Sequence, residues 1–179
     1  MRLLGLAEER RKALGLPAAD DCLVVSVVQQ TLVRFHRGHP ARTHRVSTAR
    51  AGMGCLENSL RTPEGLHRIA ERIGEGAPAG MVFKARQATG KLAAEWPTPE
   101  DNLITSRILW LEGLEEGLNR GKDDEGRVVD THARYVYIHG TNQRDRLGQP
   151  NSHGCVLLAD EEVIELFDAV PSGALVMIG

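Results

Sequence analysis

Hydrophobic and polar positions change texture several times along the chain. Leu3, Leu4, Leu6, Ala7, Ala13 and Leu14 recur at helical spacing, which predicts an amphipathic helix over residues 3–14, closed by Gly15 and Pro17. Cys22 to Val28 is a continuous β-branched run and reads as a buried strand. Gln29-Gln30 is a polar turn, and Thr31 to His36 returns as the second arm of a hairpin, followed by Gly38 and Pro40. A third strand is expected over Thr43 to Thr48, with further strands at Met81–Lys84, Ile104–Leu111, Arg134–His139 and Ala174–Ile178. Residues 66–73 (LHRIAERI) fit both a helix and one side of a strand, and spacing alone slightly favours the helix. Residues 112–130 are rich in Gly, Asp, Glu and Asn and predict a long exposed loop. Residues 160–169 (DEEVIELFDA) predict a helix with acidic residues in its first turn and Asp160 as its N-cap. The pattern implies a mainly β domain with one or two peripheral helices.

Composition narrows this picture. The chain has 179 residues, 41% of them hydrophobic, enough for one domain with a genuine core. Its net charge of −2 and scattered basic residues give no footprint for nucleic acid or for an anionic membrane. Three cysteines, Cys22, Cys55 and Cys155, do not suggest a disulfide framework. Residues 1–20 carry no apolar stretch of signal-peptide length, because Glu8 to Lys12 would interrupt it, so a cytoplasmic location is expected. His36, His39 and His44 follow no zinc-binding spacing, and no metal is expected.

The chemistry concentrates between Tyr137 and Leu158 (YIHGTNQRDRLGQPNSHGCVLL). A thiol is a useful nucleophile when a base or positive potential lies nearby. His139 ends a strand, and Cys155 follows after a loop long enough to bring the two side chains together. Imidazole titrates in the right range to take the thiol proton. Gly154 lets backbone approach a substrate carbonyl, which makes the amides of Gly154 and Cys155 oxyanion-hole candidates. Ser152, His153 and Thr141 complete the candidate substrate-binding set. No carboxylate is spaced to orient His139; Asp130 and Asp145 are open alternatives, as is a backbone carbonyl. Cys22 reads as core, and Cys55 reads as a loop cysteine without a base. Trp96 reads as a loop anchor that could border a cleft.

A His, a spacer and then Ser152-His153-Gly154-Cys155 resembles the signature of the YkuD-type L,D-transpeptidase catalytic domain. Thr62-Pro63-Glu64-Gly65-Leu66-His67-Arg68-Ile69, the early hairpin around Gln29-Gln30-Thr31-Leu32, and Arg134 to Asn142 are similar to further family segments in the same order. The resemblance spans about residues 22–179. It implies a YkuD-like β-sandwich over residues 21–179 with residues 1–20 as a helical extension, and it makes 66–73 a strand. It further implies that Cys155 attacks the carbonyl between diaminopimelate and the terminal D-Ala of a peptidoglycan tetrapeptide, with His139 as base and the Gly140 carbonyl holding its ring. No cofactor is implied. The expected partner is a peptidoglycan-derived tetrapeptide or muropeptide; no oligomeric state is specified. The family commonly has Arg two positions after the Cys, where this chain has Leu157; Arg134, Arg144 and Arg146 are the candidates to compensate. With no export signal seen, water is the expected acceptor and the expected reaction an L,D-carboxypeptidase step in muropeptide recycling. L,D-transpeptidation by an exported form and a catalytically silent muropeptide-binding domain are the alternatives.

Overall fold

A computed structural model describes residues 2–98 and 100–179. The first position of the expected N-terminal extension, Met1, lies outside the described residues. Helix α1 (Arg2–Ala13) is followed by strands β1 (Asp21–Ser26), β2 (Thr31–His36), β3 (His39–Arg45), β4 (Gly65–Ile73), β5 (Met81–Lys84), β6 (Gln87–Leu92), β7 (Ile104–Gly113), β8 (Tyr137–Gly140) and β9 (Val156–Leu158). Helix α2 (Asp160–Ala169) and strand β10 (Leu175–Ile178) complete the chain. The fold is mostly β, a mixed sheet with two helices.

The sheet runs β3-β2-β1-β10-β4-β7-β5-β6, with β8 on β7 and β9 on β8. Strand β7 is the branch point. Ile108 pairs with Ile73 and His139, and Thr105 pairs with Val82 and Gly140, so β8 takes one edge of β7 while β4 and β5 divide the other.

Side-chain alternation sorts the strands into faces. Leu23 and Val25 of β1, Val176 and Ile178 of β10, and Leu109 and Leu111 of β7 point into the main core. Ile138, Val156 and Leu158 join them there, together with Val163, Leu166 and Phe167 of α2. The opposite faces of β1 and β10 present Val24, Leu175 and Met177 to α1 through Ala7, with Leu3, Leu4 and Leu6 at the margin. Gly15, at φ +65°, ends α1 in the left-handed turn expected of a C-terminal glycine. Arg10 ties the helix to Glu115 at 2.7 Å. The opposite face of β7 carries Ile108 and Trp110, which pack with Phe83 and Tyr137 and with the partly buried Cys155.

Residues 66–73 lie wholly in β4, as the family resemblance implies; their hydrophobic spacing fits either period, and antiparallel pairing with both β10 and β7 decides it. Several other expectations are corrected. The third strand begins at His39, earlier than expected, because Pro40 sits on an edge strand where no ladder donor is needed. The expected strand over Arg134–His139 is extended only from Tyr137; Tyr135, at φ +56°, closes a turn before it. The 112–130 loop is not simply exposed. Asn119 is fully buried, donating to the carbonyls of Glu64 and Leu66 and accepting from the Glu115 amide. Asp160 is not the N-cap of α2: Ala159 holds that position without a side-chain bond, and the Asp160 carboxylate is used elsewhere. Cys55 is buried, its thiol donating to the Glu64 carbonyl at 3.7 Å.

Candidate active site

Parallel pairing of β8 with β9 sets Ile138 against Val156 and His139 against Leu157. Continued one residue back, that register brings Cys155 level with Tyr137. His139 and Cys155 are then same-face diagonal neighbours on adjacent strands. The two residues line one hollow of about 140 Å³ with Asn102, Ile104, Ser152, His153 and Leu157. A second hollow, about 250 Å³, also reaches Cys155 and His153 and is lined by Glu57, Asn58, Leu60, Arg134 and Tyr135 among others.

His139 is 3% exposed. Its Nδ1 donates to the Gly140 carbonyl at 2.7 Å, which leaves the lone pair of the neutral ring on Nε2. Neither expected carboxylate orients it: Asp130 accepts from the Gly121 and Ala133 amides, and Asp145 lies beside Arg146. Gly140 has no room for a side chain. An added Cβ would lie 2.7 Å from Asp160 Oδ1 and 2.7 Å from the Thr105 carbonyl. The Asp160 carboxylate there accepts from Thr105 Oγ1 at 2.6 Å and Ser106 Oγ at 2.5 Å, pinning the β7 bulge behind Gly140.

The Cys155 sulfur accepts from the Tyr137 amide at 3.4 Å, and its thiol faces the Tyr135 carbonyl at 3.8 Å. Burial pushes the thiol up to about 11, against the smaller opposing influences of the Tyr137 amide and the Arg134 charge. Burial also lowers His139 to about 4, against the Gly140 carbonyl. Both shifts favour a resting pair of neutral thiol and neutral imidazole.

Ser152 is buried and organises the turn before the cysteine. Its hydroxyl donates to the Cys155 carbonyl at 2.6 Å and accepts from the Gly154 amide at 3.1 Å. The Gly154 amide is therefore committed within the turn, and Gly154 itself needs its φ of +135°. His153 is exposed where the two hollows meet. Thr141 is buried in a polar network: its amide donates to the Leu158 carbonyl and its hydroxyl accepts from the Gln143 amide.

Leu157, beside His139 in register, is 1% exposed and packs with Leu147 and Ala159. Of the three compensating arginines, Arg134 is the one whose charge acts on Cys155. Its guanidinium also donates to the carbonyls of Gly54, Cys55 and Arg61, fastening the 54–61 loop to the site. Arg144 pairs with Glu161, and Arg146 lies beside Asp145. Sequence reasoning missed Asn102, Asp160 and Tyr137. The period-two spacing of Tyr135, Tyr137 and His139 does carry a signal for Tyr137. Trp96 anchors the loop ahead of Asn102, with Nε1 donating to Asp101 and Lys84 lying 4.8 Å over its ring. Among the described residues no group of three His, Cys, Asp or Glu side chains could hold a metal. No helix among them is long and apolar enough to cross a membrane.

Known proteins resemble this chain in sequence and in fold. The Bacillus subtilis (strain 168) proteins YqjB and YkuD, both assigned to the L,D-transpeptidases by name, are 40% identical over 48 residues and 30% identical over 91. Those segments cover 27% and 51% of this chain, and 27% and 49% of the relatives. Among solved structures, an L,D-transpeptidase from Mycobacterium smegmatis superposes at TM-score 0.55 with 16% identity, over 92% of this chain and 60% of that one. L,D-transpeptidase 3 from Mycobacterium tuberculosis, in complex with a faropenem-derived adduct, superposes at TM-score 0.55 with 15% identity, over 89% and 60%. These structures share the fold, and the chain spans less than two thirds of their length. With residues 20–178 matching the YkuD domain, the L,D-transpeptidase catalytic domain, the chain belongs to the YkuD L,D-transpeptidase family.

Proposed function

We propose that the chain is an L,D-carboxypeptidase that removes the terminal D-Ala from diaminopimelate-containing peptidoglycan tetrapeptides through a Cys155 thioester. The observation that carries this reading is the placement of Cys155 and His139 on one hollow, with His139 Nδ1 held by the Gly140 carbonyl.

In the first step His139 Nε2 takes the thiol proton as sulfur attacks the scissile carbonyl. The neutral resting pair makes proton transfer part of the attack rather than a step that precedes it. The oxyanion falls to the Cys155 amide, since the Gly154 amide already donates to Ser152. His139 then returns the proton to the leaving amine of D-Ala. In the second step His139 deprotonates an acceptor that attacks the thioester, releasing the shortened peptide and restoring the thiol.

The relative size of the two hollows supports water as that acceptor. An acceptor activated by His139 would enter the hollow that His139 lines, where the space is about 140 Å³, against about 250 Å³ in the other hollow. The smaller hollow suits water or a free amino acid better than a second stem peptide, and hydrolysis at this bond is the chemistry of muropeptide turnover. The same space favours one further reading, exchange of D-Ala for a free D-amino acid by L,D-transpeptidation.

Purified protein incubated with the tetrapeptide, with and without an added D-amino acid, separates the readings by product mass. Tripeptide and D-Ala are expected. Exchanged tetrapeptides or dimers as the main products would replace hydrolysis with transpeptidation, and no turnover with an inert thiol would leave a silent peptide-binding domain.

A further inference from the structure

Arg86 is held against the site in a way that packing alone does not require. It occupies the second position of the two-residue turn between β5 and β6. Both turn residues, Ala85 at φ +46° and Arg86 at φ +66°, adopt the left-handed region that such turns normally fill with Asn-Gly. Strain of this kind persists where the surroundings enforce it, and it accompanies functional sites. The turn lays the Arg86 guanidinium 4.8 Å from the Trp110 ring centroid and 5.0 Å from that of Tyr135. One guanidinium nitrogen donates to the Tyr137 hydroxyl at 3.3 Å.

Two features make this a recognition site for an anion. First, among the described residues no carboxylate lies within ion-pairing distance of Arg86, and Glu71 acts on it only through space. One of its five N–H donors is used, and the stacked guanidinium leaves the others in its plane. Second, Tyr137 is 4% exposed, and its phenol oxygen accepts from Arg86, so its own O–H is left to donate. An oriented guanidinium beside an un-ionised phenol matches the acceptors of a carboxylate.

The position is tied to the nucleophile. The Tyr137 amide donates to Cys155 Sγ at 3.4 Å, and Tyr135, beneath Arg86, lines the larger hollow that ends on Cys155. The fork therefore stands one tyrosine side chain away from the thiol.

We propose that Arg86 and the Tyr137 hydroxyl form a carboxylate-reading subsite for the acyl donor. Resting on the function proposed above, the group it reads is the distal carboxylate of diaminopimelate, carried on the side chain of the residue whose carbonyl Cys155 attacks.

The test measures binding, so that it does not depend on turnover. Cys155→Ala protein is titrated with two tetrapeptides that differ only in the distal diaminopimelate group, free carboxylate in one and carboxamide in the other. The free acid is expected to bind roughly ten- to hundredfold tighter, the range of a charge-assisted hydrogen bond. Arg86→Gln in the same background is expected to remove that difference by weakening the acid alone, with circular dichroism confirming the fold. If Arg86→Gln does not fold, Tyr137→Phe, which keeps the ring, is expected to reduce the preference. Equal affinity for the two peptides, or a preference unchanged in a folded variant, overturns the subsite and leaves the proposed function standing. Failure to bind either peptide overturns both.

Discussion

Asp160 stands directly behind Gly140, its Oδ1 2.7 Å from where a Gly140 side chain would begin. Gly140 supplies the carbonyl that holds His139, so the helix carrying Asp160 and the strand carrying the proposed base are in contact at the point where its ring is oriented. Gly140→Ala would force a methyl group against this carboxylate and against the Thr105 backbone. A loss of about 1–3 kcal/mol of stability is expected, together with at least a roughly tenfold lower kcat from the displaced imidazole. Thermal melting and steady-state kinetics check both. A variant with parental stability and kcat would show that the carbonyl does not position the base.

Leu157 lies beside His139 in register and is sealed among Leu147 and Ala159. Restoring the family's common residue by Leu157→Arg would put a cation in an apolar setting, and a loss of about 3 kcal/mol or more is expected. Arg134→Ala should instead act on the nucleophile. It removes the cation that opposes the upward shift of Cys155 and frees the carbonyls of the 54–61 loop. Slower alkylation of Cys155 by iodoacetamide is expected, and a roughly tenfold or greater loss of turnover. An unchanged alkylation rate in folded Arg134→Ala would remove Arg134 from the activation of the thiol.

The motif that carries the proposed chemistry is legible in sequence because its residue types are few and adjacent, but the supports are not. Strand β6 is missed because its side chains are largely exposed on both faces, so no hydrophobic alternation marks it. The three residues of β9 are too short to show a period. Asn119 reads as a loop residue because polarity does not distinguish an exposed amide from one that satisfies buried backbone. Asp160 reads as a helix cap because Thr105 and Ser106, which claim it, are 55 and 54 positions away. The hairpin of β1 and β2 is legible because a continuous apolar run meets a polar turn, and α2 because it carries a clean helical period.

Two of the three buried histidines, one of them in the site, make stability depend on acid pH. Burial lowers both His67 and His139 from 6.5 to about 4. Between those values the unfolded chain binds protons that the folded chain does not, so stability is complete above about pH 6.5 and falls as the pH drops toward 4. Each histidine contributes a loss on the order of 3 kcal/mol across that window. Denaturant titrations at pH 7 and pH 5 should show a lower midpoint at pH 5. His67→Gln and His139→Gln should each flatten the dependence, and an unaltered slope in both would mean that the neutral rings are not held by burial. His139, the proposed base, also stays largely neutral down to pH 5, so the acid limb of turnover is expected below the ordinary imidazole range.

Cys155 shares a hollow with His139, the proposed base. Cys22 packs beneath α1, with its thiol pushed up to about 11 by burial, and Cys55 is buried with its thiol likewise raised by burial. Cys155 is raised too, but it stands on the hollow with His139, where proton transfer accompanies attack. A carbapenem should therefore add one acyl group, on Cys155, as read by intact and peptide mass spectrometry. Cys155→Ala should give no adduct and no turnover. Cys22→Ala and Cys55→Ser should leave turnover within about twofold, because neither side chain touches the site and small changes outside it rarely reach the chemistry. An adduct on Cys55, or a folded Cys55→Ser variant without activity, would mean that the 54–61 loop supplies chemistry of its own rather than a wall for the larger hollow.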